Sequence, residues 1–114
     1  MKSSIAAPQD RATVKLGAIA IRGFAWAGEE AIERVEVSTD GGSKWQNAEL
    51  SKEKLPFAWR LFKLDWRPAR PGYYTILSRA TDTAGRVQPI VAAWNPSGYL
   101  WNSIDRVGIT VEAA

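Results

Sequence analysis

The 114-residue sequence contains no cysteine and no histidine. Without cysteine there can be no disulfide, no zinc–thiolate site and no thiol nucleophile. Without histidine the chain lacks the most common general base and transition-metal ligand, which disfavours an independent hydrolase or metalloenzyme. Asp40, Asp65 and Asp82 fall at predicted turns or strand ends, where solvated carboxylates are expected. We therefore assign no catalytic and no metal-binding residue to this chain.

The sequence also has no long apolar run, since no stretch approaches the ~20 residues that a membrane span needs. Only Ile5-Ala6-Ala7 is apolar near the N-terminus, and this run is too short for a signal peptide. The net charge of +3 would suit an anionic partner. The basic residues, however, mostly alternate with predicted core residues, as they do in Arg60, Lys63, Arg67 and Arg70. We therefore predict neither a membrane nor a nucleic acid as partner.

The sequence does contain a succession of strand signals, separated by turns that are rich in glycine, proline, asparagine and aspartate. This pattern predicts a single all-β sandwich domain over residues 1–114, with about seven antiparallel strands. The first strand is expected over residues 14–26, where the apolar phase changes at Gly23 and indicates a β-bulge. The other strands are expected over residues 33–38, 45–50, 59–66, 73–82 and 106–112.

Two turns carry motifs. Asp40-Gly41-Gly42 predicts a tight hairpin in which the Asp40 side chain caps the backbone and Trp45 packs beneath it. The segment Ser38–Trp45 resembles the Asp-box hairpin of sialidase-type β-propellers, but one copy cannot build a propeller, so we interpret it as a structural device. Tyr74 lies two residues before Ile76 and resembles the tyrosine corner of immunoglobulin-like sandwiches.

The six tryptophans exceed what the core of one small sandwich commonly holds. We expect Trp26, Trp45 and Trp66 to be core residues. Strand alternation places Trp59 on the face opposite Trp66. Because tryptophan is enriched at interfaces, we predict that Trp59 belongs to an interaction surface.

The segment from residue 91 to residue 102 is predicted to be an irregular loop, because Pro96 and Gly98 prevent a regular strand. It nevertheless carries several large apolar or amphipathic side chains, which indicates that a partner covers it. The candidate residues of this loop are Trp94, Asn95, Ser97, Tyr99, Trp101 and Asn102. Its asparagines would hold the loop backbone through Asx hydrogen bonds. A loop folded back onto its own sheet remains the alternative.

Several segments, taken in order along the chain, resemble the C-terminal dimerisation domain of sulfite-oxidase-type molybdenum enzymes. Each segment is weak evidence alone, but the ordered set is specific and covers nearly the whole chain. The segments are Gly23–Gly28, Ile32–Ser38, Asp40–Trp45, Trp59-Arg60, Pro71–Tyr74, Arg79–Asp82, Gln88-Pro89 and Trp94–Asn102.

The resemblance implies an immunoglobulin-like (E-set) sandwich that pairs two subunits as a homodimer. It also implies an N-terminal domain that holds molybdopterin through a cysteine, so the molybdenum cofactor would bind there and no cofactor would bind to this chain. Residues 1–10 would then be a remnant of the connection between the two domains. The chain by itself is expected not to catalyse a reaction, although it would be part of a molybdenum-dependent oxidoreductase.

One position departs from the pattern of the animal and plant members. They carry an arginine between the Trp-Asn-x segment and the following glycine, where this chain has Ser97. The departure favours the bacterial sulfite or sulfane dehydrogenase branch, which implies a periplasmic location and a cytochrome c as electron acceptor. The loop Trp94–Asn102 would wall the substrate entrance of such an enzyme.

An alternative function is that of a stand-alone immunoglobulin-like module, which would bind another protein or a glycan through Trp59 and the aromatic loop. The two hypotheses differ in symmetry. A dimerisation domain needs one self-complementary surface, whereas a glycan platform needs exposed parallel rings and no self-association.

Overall fold

The structure is a computed structural model, and it describes residues 2–27, 31–52, 59–88 and 105–113. In these residues it contains nine strands: β1 (Lys2–Ala7), β2 (Thr13–Lys15), β3 (Ile19–Trp26), β4 (Ile32–Ser38), β5 (Gln46–Asn47), β6 (Glu49–Leu50), β7 (Arg60–Trp66), β8 (Gly72–Asp82) and β9 (Asp105–Glu112). Across the same residues there is no helix with the length and apolar character to cross a membrane.

The strands form two sheets, which confirms the predicted all-β sandwich. The first sheet has the order β1-β3-β7-β6, and the second has the order β2-β9-β8-β4-β5. Neighbouring strands are antiparallel, except that β2 and β9 are parallel. Residues 2–7, within the segment expected to connect two domains, form the edge strand β1 of the first sheet.

The strand predicted over residues 45–50 divides between the two sheets. β5 pairs with β4 in the second sheet, and β6 pairs with β7 in the first. Ala48 lies between them, and its N–H donates to the carbonyl of Val35 over 2.8 Å. The short strands at both sheet edges explain why the structure has more strands than the sequence pattern predicted.

The predicted change of apolar phase at Gly23 is wrong. β3 pairs with β7 in continuous register, and Ile21, Gly23 and Ala25 all face the core. The irregularity lies instead in the β1–β3 pair, between Ile5 and Ala7. At Gly23 the space that an inward side chain would take is occupied by the ring of Phe62, its cross-strand partner.

The core between the sheets is mainly aliphatic. Its fully buried large apolar side chains are Ile21, Val35, Val37, Ile76, Ile109 and Val111. Trp66 packs against this core and makes an edge-to-face contact with Tyr74 at 5.0 Å between centroids. The prediction that Trp26 and Trp45 belong to the core is wrong, because both lie on outer faces of the sandwich. Strand alternation carries Trp26 there, and Trp45, which precedes β5, packs against the Arg79 guanidinium.

The hairpin after β4 has the predicted capping geometry. The Asp40 carboxylate accepts a hydrogen bond from the N–H of Lys44 at 2.9 Å, and this bond is the largest cause of the lowered pKa of Asp40. The Ser38 hydroxyl accepts the N–H of Gly42 at 2.9 Å. The indole N–H of Trp45 donates to the Gly42 carbonyl at 3.1 Å. The tryptophan therefore closes the hairpin, as predicted.

The tyrosine corner is also confirmed. The Tyr74 hydroxyl donates to the carbonyl oxygen of Arg70 at 2.6 Å, four residues earlier. Ile76, two residues later, is completely buried. The corner thereby fixes the chain where it enters β8.

Asp82 contradicts the expectation that the carboxylates are solvated. It is completely buried at the end of β8, where its carboxylate accepts hydrogen bonds from the N–H groups of Ala84 and Arg86 and from the Arg86 guanidinium. Burial raises the pKa of Asp82, but these hydrogen bonds and the positive charge of Arg86 lower it by more, so the net pKa lies below its usual value. The hydrogen bonds from this turn replace those that water would otherwise donate to the carboxylate.

Candidate functional site

The outer face of the first sheet carries the candidate site. In β7, Phe62 points to the core, whereas Leu61 and Lys63 point outward. Trp59 immediately precedes β7, and its ring contacts two side chains on the outer side of β3. Trp59 thus lies on the face opposite the core, where alternation predicts it.

Four residues on this face form an apolar surface that we call the outer aromatic cluster: Phe24, Trp26, Trp59 and Leu61. The ring of Trp59 meets that of Phe24 edge-on at 5.1 Å between centroids, and it stacks on Trp26 at 5.9 Å with an interplanar angle of 25°. Leu61 is 50% exposed. A contiguous patch of large apolar side chains on a sheet exterior is characteristic of an interaction surface.

Next to the cluster the same face carries a net positive charge, because the two cations Arg22 and Lys63 adjoin the single carboxylate of Glu49. The register pairs Phe24 with Leu61, and it pairs Arg22 with Lys63 one step further along the two strands. An open cavity of about 610 Å³ lies here, and these four residues line it together with Ala6 and Glu49. The face therefore combines an apolar ridge and an adjoining recess with a cationic rim.

The cationic side chains of this rim are weakly paired. Lys63 lies 3.9 Å from the carboxylate of Asp65, and both side chains are largely exposed. Such a contact contributes little in water. Arg22 has no ion pair within the part of the chain that the structure describes. Both cations thus remain accessible to a partner.

The outer face of the second sheet differs, because its central charges, Arg79 and Glu36, are paired within the chain. The Arg79 guanidinium contacts the Glu36 carboxylate through two nitrogens, at 3.1 and 3.3 Å. It also lies 4.0 Å from the ring centroid of Trp45. Tyr73, which is 68% exposed, places its hydroxyl over Gly108. Glu36, Arg79 and Trp45 thus satisfy one another at the centre of this face.

Most of the residues that the sequence singled out lie outside the described residues, namely Trp94, Asn95, Ser97, Tyr99, Trp101 and Asn102. Gln88 and Asp105, which precede and follow residues 89–104, both form hydrogen bonds with β1. The Ser3 hydroxyl donates to the Gln88 amide oxygen at 2.7 Å, and the Ile5 N–H donates to the Asp105 carboxylate at 2.7 Å. Of the predicted site residues, the structure therefore places Trp59 alone.

Sequence reasoning missed Phe24 and Trp26 as members of the site. The supposed phase change at Gly23 assigned Trp26 to the core. Uninterrupted alternation along β3 would have placed Arg22, Phe24 and Trp26 on one face, so the signal was present. Their contact with Trp59 could not be read from the sequence, because it depends on the pairing of β3 with β7.

The residues of this chain do not fit a molybdenum centre. The sequence has no cysteine that could supply the implied thiolate ligand. In the ranges that the structure describes, no three carboxylate side chains come together to form a metal site.

Comparison with known proteins gives a consistent result. Residues 1–112 match the Mo-co oxidoreductase dimerisation domain family. The chain is 41% identical to mitochondrial sulfite oxidase of Mus musculus over 119 residues, which cover 97% of this chain and 22% of the mouse protein. It thus spans about a fifth of that relative's length.

Solved structures agree with this match. The sulfane dehydrogenase SoxCD of Paracoccus pantotrophus superposes with a TM-score of 0.73 at 31% identity, covering 99% of this chain and 32% of that one. The fibronectin(III)-like modules of Clostridium thermocellum CbhA superpose with a TM-score of 0.64 at 14% identity, covering 96% of this chain and 93% of that one. The second likeness concerns the fold alone, and it agrees with an immunoglobulin-like sandwich.

Proposed function

This chain belongs to the Mo-co oxidoreductase dimerisation domain of the sulfite oxidase family, and from this premise we propose that it pairs two subunits through the outer face of its first sheet. The observation that carries the choice of surface is the outer aromatic cluster of Phe24, Trp26, Trp59 and Leu61. Stacked aromatic rings beside an exposed leucine provide the apolar centre that stable interfaces require.

The physical gain comes from removing this surface from water. Large aromatic side chains dominate interface energetics, and truncating a central one typically costs 2 kcal/mol or more of binding free energy. Such a loss corresponds to a dissociation constant that is about thirtyfold larger. A second copy of the domain offers the same cluster, so one surface serves both partners.

Light scattering over a hundredfold range of protein concentration tests this proposal. We expect a dimer. We also expect that Trp59→Ala and Leu61→Asp each raise the dissociation constant of the dimer at least about thirtyfold. Tyr73→Ala on the second sheet is the matched control and should leave the mass unchanged. Circular dichroism must report an intact fold for each variant. A dimer that both variants leave untouched would place the interface elsewhere.

The parent enzyme is a further part of the proposal. We propose a bacterial sulfite or sulfane dehydrogenase that works in the periplasm, oxidises a sulfur substrate at a molybdenum cofactor outside this chain, and passes electrons to a cytochrome c. Ser97 supports the bacterial branch, although identity to the mouse enzyme, at 41%, exceeds the 31% to SoxCD. Sulfite-dependent reduction of cytochrome c by the enzyme that carries this domain tests the activity, and cell fractionation tests the location.

The alternative is a binding module for another protein or a glycan. The rings of Trp26 and Trp59 stack on one another, so each covers a face of its neighbour. A glycan platform needs no self-association, so the mass in solution separates it from a surface that pairs two copies. A chain that stays monomeric at every concentration would refute self-association and favour a different protein partner.

A further inference from the structure

We propose that the two-fold axis of the dimer crosses the strands over the register pair Phe24–Leu61, so that the tryptophans of each protomer lie on Arg22 and Lys63 of the other. This inference rests on the proposed function, and it specifies how the two copies are oriented. It follows from the order of side chains along β3 and β7.

The outer face has three successive rungs. At one end Trp26 stacks on Trp59, and the central rung is the pair Phe24–Leu61. The pair Arg22–Lys63 forms the rung on the other side. Residues two apart on a strand are about 6.8 Å apart, so the aromatic and cationic rungs are equally far from the central one.

Two copies that pack face to face have a two-fold axis in the plane between the sheets. If the axis runs along the strands, each rung meets its own copy. The rung Arg22–Lys63, whose two cations outnumber the carboxylate of the adjoining Glu49, then faces the same net positive charge. If the axis runs across the strands over Phe24–Leu61, the order of rungs reverses between the partners. Each cationic rung then meets an aromatic rung. Like charges repel, whereas Arg and Lys bind the faces of tryptophan, so the second orientation is favoured.

The cavity gives this arrangement room. Arg22 and Lys63 line a recess of about 610 Å³, immediately beside the ridge formed by the aromatic cluster. Under the reversed order, the Trp26–Trp59 ridge of one protomer lies over the recess of the other. The match occurs twice, once for each protomer, as a two-fold interface requires.

Single cysteines test the axis cleanly because the chain has no cysteine of its own. Facing sheets pack about 10 Å apart, which exceeds the reach of a disulfide, so a short bis-maleimide is the appropriate reagent. Leu61→Cys should cross-link to its own copy in high yield. Asp65→Cys, four residues further along β7, should not, since its two copies would be about 29 Å apart.

The outcomes separate this inference from the proposed function. An axis along the strands would cross-link Asp65→Cys as readily as Leu61→Cys and would overturn the inference while leaving the interface in place. Cross-linking of Tyr73→Cys instead would move the interface to the second sheet and overturn both. A monomer by light scattering would refute the proposed function, and the inference with it.

A second measurement addresses the cations directly. The double variant Arg22→Gln with Lys63→Gln should raise the dissociation constant at least tenfold, since both cation–aromatic contacts are lost on each side. Arg67→Gln removes an exposed positive charge beyond the end of β7 and serves as the control. If the double variant associates more tightly, the cations repel one another in the dimer and the proposed orientation is wrong.

Discussion

Gly23→Ala is expected to destabilise this domain more than any other single methyl addition to a described glycine. A Cβ built on Gly23 would lie 2.1 Å from the backbone oxygen of Ser4 and 2.4 Å from the ring of Phe62. Neither neighbour can move freely, because the first belongs to the β1–β3 ladder and the second is a buried side chain. The backbone of Gly23 itself is extended, so the cost arises from contacts and not from its dihedral angles.

The magnitude follows from these contacts. To bring the Ser4 oxygen out to 3.0 Å, β1 must move away from β3 by about 0.9 Å. Such a shift stretches the neighbouring ladder hydrogen bonds beyond bonding distance, and each contributes about 1 kcal/mol. Displacing a buried ring adds an overpacking cost of about 1–3 kcal/mol. We therefore expect a loss of roughly 3 kcal/mol or more in the free energy of unfolding, and a fall of about 12 °C in Tm.

Gly108→Ala is the informative comparison. Its Cβ would approach even closer, to 1.9 Å from the Tyr73 hydroxyl, but that ring is 68% exposed and can rotate away. A lost glycine also lowers the entropy of the unfolded chain, which offsets part of the cost. We expect a change below about 1 kcal/mol. Urea denaturation of both variants measures the contrast, and a Gly23→Ala protein within 1 kcal/mol of the parent would refute the reasoning.

Two further predictions concern hydrogen bonds of the second sheet. Tyr74→Phe should lower the free energy of unfolding by about 1 kcal/mol in urea titrations, because the Arg70 carbonyl loses its donor; an unchanged midpoint would mean that water replaces the bond fully. The pKa values of Asp40 and Asp82 are lower in the folded state than their usual value of 3.8. Both carboxylates therefore stabilise the fold at pH values above 3.8, and this contribution is lost as the pH falls through their pKa values in the folded state. The free energy of unfolding should therefore decline below about pH 4. Asp82→Asn should be less stable than the parent at about pH 7, and its stability should fall less steeply as the pH is lowered. If the stability of parent and variant falls in parallel, this assignment is contradicted.

Much of the fold could be predicted from short-range patterns. The strand predicted over residues 106–112 is observed as β9, and its alternating apolar residues Val107, Ile109 and Val111 are buried. The Asp40 hairpin and the Tyr74 corner were predicted from a few neighbouring residues, because each depends on local hydrogen bonds. These predictions succeeded because their geometry is set within a few residues along the chain.

Predictions that depended on distant contacts were less successful. Ala48 passes the chain from one sheet to the other, and nothing in the segment 45–50 distinguishes that from one continuous strand. Asp82 was expected in solvent, but its burial depends on how the turn that follows β8 folds around it. Trp59 was correctly placed on the outer face, whereas its role in an interface stays a prediction.

The sequence by itself determined the all-β class, the tight turns and the family to which the chain belongs, because these reside in local chemistry and ordered motifs. Only the tertiary structure decided that Phe24, Trp26 and Trp59 form one surface beside Arg22 and Lys63. Strand alternation assigns each side chain to a face, but the register between β3 and β7 decides which side chains become neighbours. That register is set when both strands bury their inner faces in the same core, and no single strand contains this information.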